Sequence, residues 1–236
     1  ATLKYFHEFP NAISITPQLH YRNYYSRLHY KDKEITQLIQ TPIQYIIAEA
    51  NLAWQPERKK ARKIPVNFQG KLYSLPTKIS LTYSYNIPLS NVERKYQEIL
   101  LTSQRRIYLT NNIALDLRLT GGKIFGSTNP YLLLTPNMTN SLVSSIYGFN
   151  LLQYGRTTYH KQYLQTFAQL NLALKQIRPT LFLYHKSLYG QYLPYHEIGI
   201  GVDNIFNTLG VEIIRSFSFE KETFPGMWGI RVRLKS

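Results

Sequence analysis

Apolar and polar residues alternate with a period of two along almost the whole chain, a pattern that fits strands and excludes a helical bundle. Over 113–120, Ile113, Leu115, Leu117 and Leu119 line one face and Ala114, Asp116, Arg118 and Thr120 the other. Near the end of the sequence Ile230, Val232 and Leu234 oppose Arg231, Arg233 and Lys235. Over 48–55, Ala48, Ala50, Leu52 and Trp54 stand against Glu49, Asn51, Ala53 and Gln55, and over 197–203, Ile198, Ile200 and Val202 stand against Glu197 and Asp203. Further runs cover 13–21, 79–85, 98–109, 163–174 and 211–219. Turn chemistry separates them at Asn111 Asn112, Thr120 Gly121 Gly122, Ser127 Thr128 Asn129 Pro130, Thr135 Pro136 Asn137 and Phe224 Pro225 Gly226. The pattern blurs over 38–47 and 142–152, where a short helix or irregular segment is admitted.

Alternation suits a soluble antiparallel sandwich as well as a membrane barrel, so strand length and charge placement must choose. Runs such as 98–109 and 163–174 are long enough to cross a bilayer when tilted, whereas sandwich strands commonly have about five or six residues. Acids and bases share the face opposite the apolar one: Glu49, Glu98, Asp116, Glu197, Asp203 and Glu212 with Arg106, Arg118, Arg231 and Arg233. In a barrel that face lines a lumen filled by ion pairs, and the apolar face meets lipid. Aromatic residues gather towards run ends, at Tyr21, Tyr24, Tyr25, Tyr83, Tyr85, Tyr108, Tyr154, Tyr189, Tyr192, Tyr195, Phe217, Phe219 and Trp228. Interfacial girdles take this form, as does ordinary cross-strand aromatic pairing. The expected fold is all-β: one antiparallel up-and-down transmembrane β-barrel over 1–236, with about 12 strands in a range of about 10 to 14.

No apolar run approaches the length of a membrane-spanning helix, and the absence of cysteine excludes disulfides and thiolate metal centres. The net charge of +15 calls for anionic surroundings such as lipid headgroups, lipopolysaccharide or nucleic acid. Its densest run, Arg58, Lys59, Lys60, Arg62 and Lys63, precedes Ile64 Pro65 and reads as a loop, either solvated or touching lipid phosphate or a partner. Nucleic acid is the weaker alternative, because the arginines oppose the apolar face and keep company with acids. No secretion signal is visible at Ala1 Thr2 Leu3 Lys4, so an exported protein is expected here in mature form or as a fragment of a longer chain.

The order of segments resembles the C-terminal region of a family of Bacteroidota outer-membrane proteins whose longer members carry an N-terminal carboxypeptidase-regulatory-like sandwich. The run from Pro194 Tyr195 His196 Glu197 through Gly199, Gly201 and Val202 to Asn204 Ile205 Phe206 is similar to that family's late glycine-alternating strand. Val211 Glu212 Ile213 Ile214 Arg215 and Trp228 Gly229 Ile230 Arg231 Val232 Arg233 Leu234 look like its last two strands. Fainter echoes lie at 75–83, 121–126 and 149–152. The resemblance implies a barrel without a periplasmic front part and brings no catalytic residues. One departure is the ending Leu234 Lys235 Ser236, where many outer-membrane proteins finish on an aromatic residue.

Some barrels hydrolyse lipids with a Ser/His pair near the outer leaflet, so the six histidines need weighing. His185 with Ser187 is the nearest pairing, and it lacks a nucleophile-elbow motif. His7, His20, His29, His160, His185 and His196 show no metal-ligand spacing, and His196 and Glu197 fall on opposite faces of a strand. No cofactor, metal or catalytic residue is expected. The expected role is a non-enzymatic anchor or subunit of a bacterial outer-membrane complex, in contact with outer-membrane lipid or lipopolysaccharide and with envelope proteins. A narrow pore is the second reading and a soluble, basic, polyanion-binding β-protein the third.

Overall fold

The computed structural model describes residues 1–24, 43–58, 63–69, 75–89, 95–126, 138–139, 149–150, 161–174, 179–190, 194–206, 209–218 and 226–234. The strands are β1 (Thr2–Lys4), β2 (His7–Glu8), β3 (Ile13–Tyr24), β4 (Ile43–Trp54), β5 (Lys78–Pro88), β6 (Tyr96–Tyr108), β7 (Ile113–Gly126), β8 (Met138–Thr139), β9 (Phe149–Asn150), β10 (Gln162–Ala173), β11 (Thr180–Gly190), β12 (Tyr195–Ile205), β13 (Leu209–Phe217) and β14 (Met227–Leu234). No α-helix occurs among the described residues. Twelve strands make one antiparallel sheet in the order β1-β3-β4-β5-β6-β7-β10-β11-β12-β13-β14, with β2 beside β1 on the β3 edge. The short pair β8 and β9 forms a separate parallel ladder. The expected all-β, up-and-down antiparallel architecture and its strand number are therefore met.

Two local expectations are corrected. Thr120 Gly121 Gly122 is no turn but the middle of β7, in register with Leu101 and Leu164. The missing side chain serves packing there, since a Cβ on Gly121 would come within 3.2 Å of Leu164 Cδ1. The part of 38–47 that is described belongs to β4, and 142–148, 151 and 152 lie outside the described residues, as do the turn signals at 127–130 and 135–137. The turn at 109–112 forms as its sequence suggests: the Thr110 hydroxyl accepts hydrogen bonds from the amides of Asn112 and Ile113.

Many large aliphatic side chains stand on the exposed face of the sheet and many polar ones on the buried face. Ile15, Leu19, Leu52, Ile79, Leu81, Leu117, Leu164, Leu170, Leu181, Leu183, Ile198, Ile200 and Ile213 are exposed. On the other face Ser84, Asn86, Arg106, Asp116, Gln165, Asn171, Lys186, Glu197, Glu212 and Arg231 are buried. Long sheets twist, and this one curls so that the polar face is concave: Tyr184 on β11 reaches Arg231 on β14, three strands along. Among the described residues, buried apolar side chains pack Phe167 with Phe182 and Tyr184, Phe68 with Ala114 and Ala173, and Tyr45 with Tyr96.

Phe68 comes from the segment joining β4 to β5, which turns back through the short 3₁₀ turns Pro56–Arg58 and Val66–Phe68. Its ring packs 5.5 Å from that of Tyr108, and Asn67 donates a hydrogen bond to Asn112. Phe68 is thereby seated against the inner face at the end where β6 turns into β7. Tyr108 and Tyr195, expected in a girdle, point inward instead, with Tyr195 buried.

Candidate functional site

Alternation puts every second residue of a strand inside, and antiparallel register then decides which charges meet. Three buried ion pairs join residues directly opposite one another on neighbouring strands. Arg106 on β6 faces Asp116 on β7 and holds it with two bonds, Nε to Oδ1 at 2.5 Å and Nη2 to Oδ2 at 2.7 Å. Lys186 on β11 faces Glu197 on β12 at 3.8 Å. Glu212 on β13 accepts a hydrogen bond from the Nε of Arg231 on β14. A charge removed from water costs several kcal/mol unless it is paired and hydrogen-bonded, so each member of such a pair depends on the other.

Neutral groups complete two networks. Asn171 on β10 donates to Asp116 Oδ2 at 3.1 Å and accepts from Gln169 at 2.6 Å, which extends the first pair across three strands. Tyr195 donates to Glu197 at 2.9 Å, and Lys186 sits 4.6 Å from the ring of Tyr184 and 5.9 Å from that of Phe167. The Tyr184 hydroxyl accepts from Arg231 at 3.1 Å, linking both pairs of the second network from β10 to β14. The rings have room because β12 carries inward glycines: a Cβ on Gly199 would strike Tyr184, and one on Gly201 would strike Phe182 and the Val211 carbonyl.

The other predicted interior charges have different surroundings. Glu49 is half-buried and accepts a hydrogen bond from Gln18, while Glu98 and Arg118 are half-buried on the inward faces of β6 and β7. Asp203 is buried, but its carboxylate accepts the Asn204 amide at 2.9 Å and braces a bulge where Asn204 and Phe206 take positive φ. Arg233 shares a face with Arg231 on β14, and its side chain lies outside the described residues. In the basic loop Lys63 is exposed, Arg58 ends a 3₁₀ turn, and Lys59, Lys60 and Arg62 lie outside the described residues. Glu57 holds the base of that loop by accepting the Thr77 amide at 3.0 Å.

Sequence reasoning passed over Lys186 and the grouping of Ser187 with His196. Both faces of β11 are apolar, with Leu181 and Leu183 outside and Phe182 and Tyr184 inside, so hydropathy carries no period there. Ser187 and His196 are nine residues apart but directly opposite in the β11–β12 pairing, with Ser187 Oγ 2.9 Å from His196 Nδ1 and 3.3 Å from His185 Nε2. The signal that would have found them is hairpin register about the turn near Pro194, not a linear motif. Among the described residues no group of three or more histidine and acidic side chains is placed to hold a metal. No protein-family model and no curated protein matches this sequence.

Proposed function

We propose that the chain is an outer-membrane β-barrel with an occluded interior that serves as an anchor or subunit of an envelope complex. The observation that carries this reading is the inverted sorting of side chains, with leucine and isoleucine on the exposed convex face and ion pairs buried on the concave one. In water such a surface would invite aggregation; in a bilayer it is the wall that lipid requires. The long strands have 8 to 14 residues, suited to a tilted crossing. The resemblance of the ending to a Bacteroidota envelope family supports the same assignment.

Connection lengths supply an orientation. The segments 55–77, 109–112, 174–179 and 206–208 join strands at the Phe68 end, and 25–42, 89–95, 127–161, 191–194 and 218–226 join them at the other. Outer-membrane barrels keep short turns on the periplasmic side and longer loops outside. Apart from 55–77, which folds back to seat Phe68, the connections at the Phe68 end are short, and we assign that end, with the basic run 58–63, to the periplasm, where its charge suits an acidic partner or anionic lipid. An interior closed by Phe68 and two side-chain networks suits an anchor better than a pore. Expression followed by fractionation tests the reading: the protein should enter the outer membrane, need detergent for extraction and migrate faster unboiled than boiled. Recovery as a soluble monomer without detergent would overturn it.

A further inference from the structure

Ser187, His185 and His196 lie on the convex face, where their neighbours Leu183, Ile198 and Ile200 are apolar and exposed. Polar hydrogen-bonding groups set into a lipid-facing wall mark function more often than stability. From their geometry we propose that Ser187 and His196 form a nucleophile and general base that cleave a carboxylic ester of a membrane lipid; this rests on the membrane reading above.

A serine hydroxyl has one proton, and a ring nitrogen from each of two histidines approaches its oxygen. One histidine must therefore accept that proton and the other donate an N–H to the same oxygen. The proposed pair uses the tautomers in which His196 Nδ1, at 2.9 Å, accepts the hydroxyl proton and His185 Nε2–H, at 3.3 Å, donates. In the reaction Ser187 Oγ attacks the ester carbonyl carbon as His196 takes the hydroxyl proton. The His185 N–H then lies beside the nascent oxyanion. Collapse breaks the bond to the alcohol oxygen, which leaves with the proton from His196. Water then cleaves the acyl-serine through the same histidine, releasing a fatty acid and restoring the hydroxyl. No electron donor or acceptor takes part.

The surroundings fit an acyl substrate. Ser187 and His196 are 1% and 2% exposed, under rings: Tyr189 meets His196 edge-on at 5.6 Å and Phe217 stacks on it at 5.3 Å. Tyr189 is itself 41% exposed, so an acyl chain gains access by displacing a surface ring. The rings of His185 and His196 are parallel at 5.5 Å, which holds both nitrogens on the hydroxyl. The group lies towards the Gly190 end of β11, opposite the Phe68 end and hence at the outer leaflet. Two residues along β13, on the bilayer-centre side of Phe217, Arg215 stands 5.2 Å from the Trp228 ring on the same face.

The test uses the purified protein in mixed micelles with a phospholipid bearing a fluorogenic acyl ester, and a fluorophosphonate probe located by peptide mass. Ser187 should carry the adduct. Ser187→Ala should lose it and lower hydrolysis at least about 100-fold, and His196→Gln should do nearly the same. His185→Gln, which keeps an N–H donor, should retain more activity than His185→Ala. Heat-modifiable migration of each variant separates lost chemistry from lost folding. A folded wild type without adduct or turnover, or undiminished turnover in Ser187→Ala, overturns the proposal. A chain soluble without detergent yet labelled at Ser187 would sink the membrane reading and keep the nucleophile, and a membrane-bound chain with an inert Ser187 would do the reverse.

Discussion

A guanidinium and a carboxylate held almost out of water depend on each other, and Arg106 with Asp116 is the best-formed case in this interior. Removing one member strands the other charge. Asp116→Ala is expected to destabilise the protein by about 3–5 kcal/mol, read as a lower urea midpoint in detergent or vesicles. The double variant Arg106→Met with Asp116→Leu should recover most of that loss, because it leaves no buried charge alone. An unshifted midpoint for Asp116→Ala would mean that the pair is solvated in the folded protein. Hydropathy alternation placed both residues on the polar face, yet made Arg118 the evident neighbour of Asp116. It reports which face a side chain takes and is blind to what stands opposite, which the turn at 109–112 sets through Thr110. Lys186 was illegible for a different reason: with apolar residues on both faces of β11, the period of two has no amplitude.

If the sheet is the membrane wall proposed above, a strand in it has two unlike tasks, since one side must tolerate lipid and the other must pack around polar groups. Leu183, near the middle of β11 and 49% exposed, separates the membrane reading from the soluble one. Leu183→Arg should cost about 2–4 kcal/mol in a bilayer wall, against about 0.5 kcal/mol or less on a solvated surface, measured as the change in folding free energy in lipid vesicles. On the inner side, Gly201→Ala presses a methyl group against the Val211 carbonyl, which the ladder cannot move without parting β12 from β13. A loss of about 1–3 kcal/mol is expected, and none would mean that the two strands can spread freely. The same duty explains the misread Thr120 Gly121 Gly122. A glycine pair signals a turn when it supplies φ freedom, but in β7 Gly121 supplies close approach, and sequence alone does not distinguish the two uses.

Across the whole molecule, orientation and occlusion are linked, and one experiment reads both. The chain has no cysteine, so a single introduced thiol reports its own position without background. Lys95, exposed just before β6, lies at the end assigned to the cell exterior, and Lys63, exposed beside the Phe68 segment, lies at the end assigned to the periplasm. On intact cells a bulky maleimide should modify Lys95→Cys and leave Lys63→Cys untouched until the outer membrane is permeabilised. The reverse pattern would invert the barrel and put the basic run outside, against lipopolysaccharide. A small maleimide added to the purified protein in sealed vesicles sharpens the point. If Phe68 and the ion-pair networks close the interior, the thiol on the far side stays protected until detergent is added; if that thiol reacts at once, water and small solutes traverse the lumen and the anchor must be redrawn as a pore.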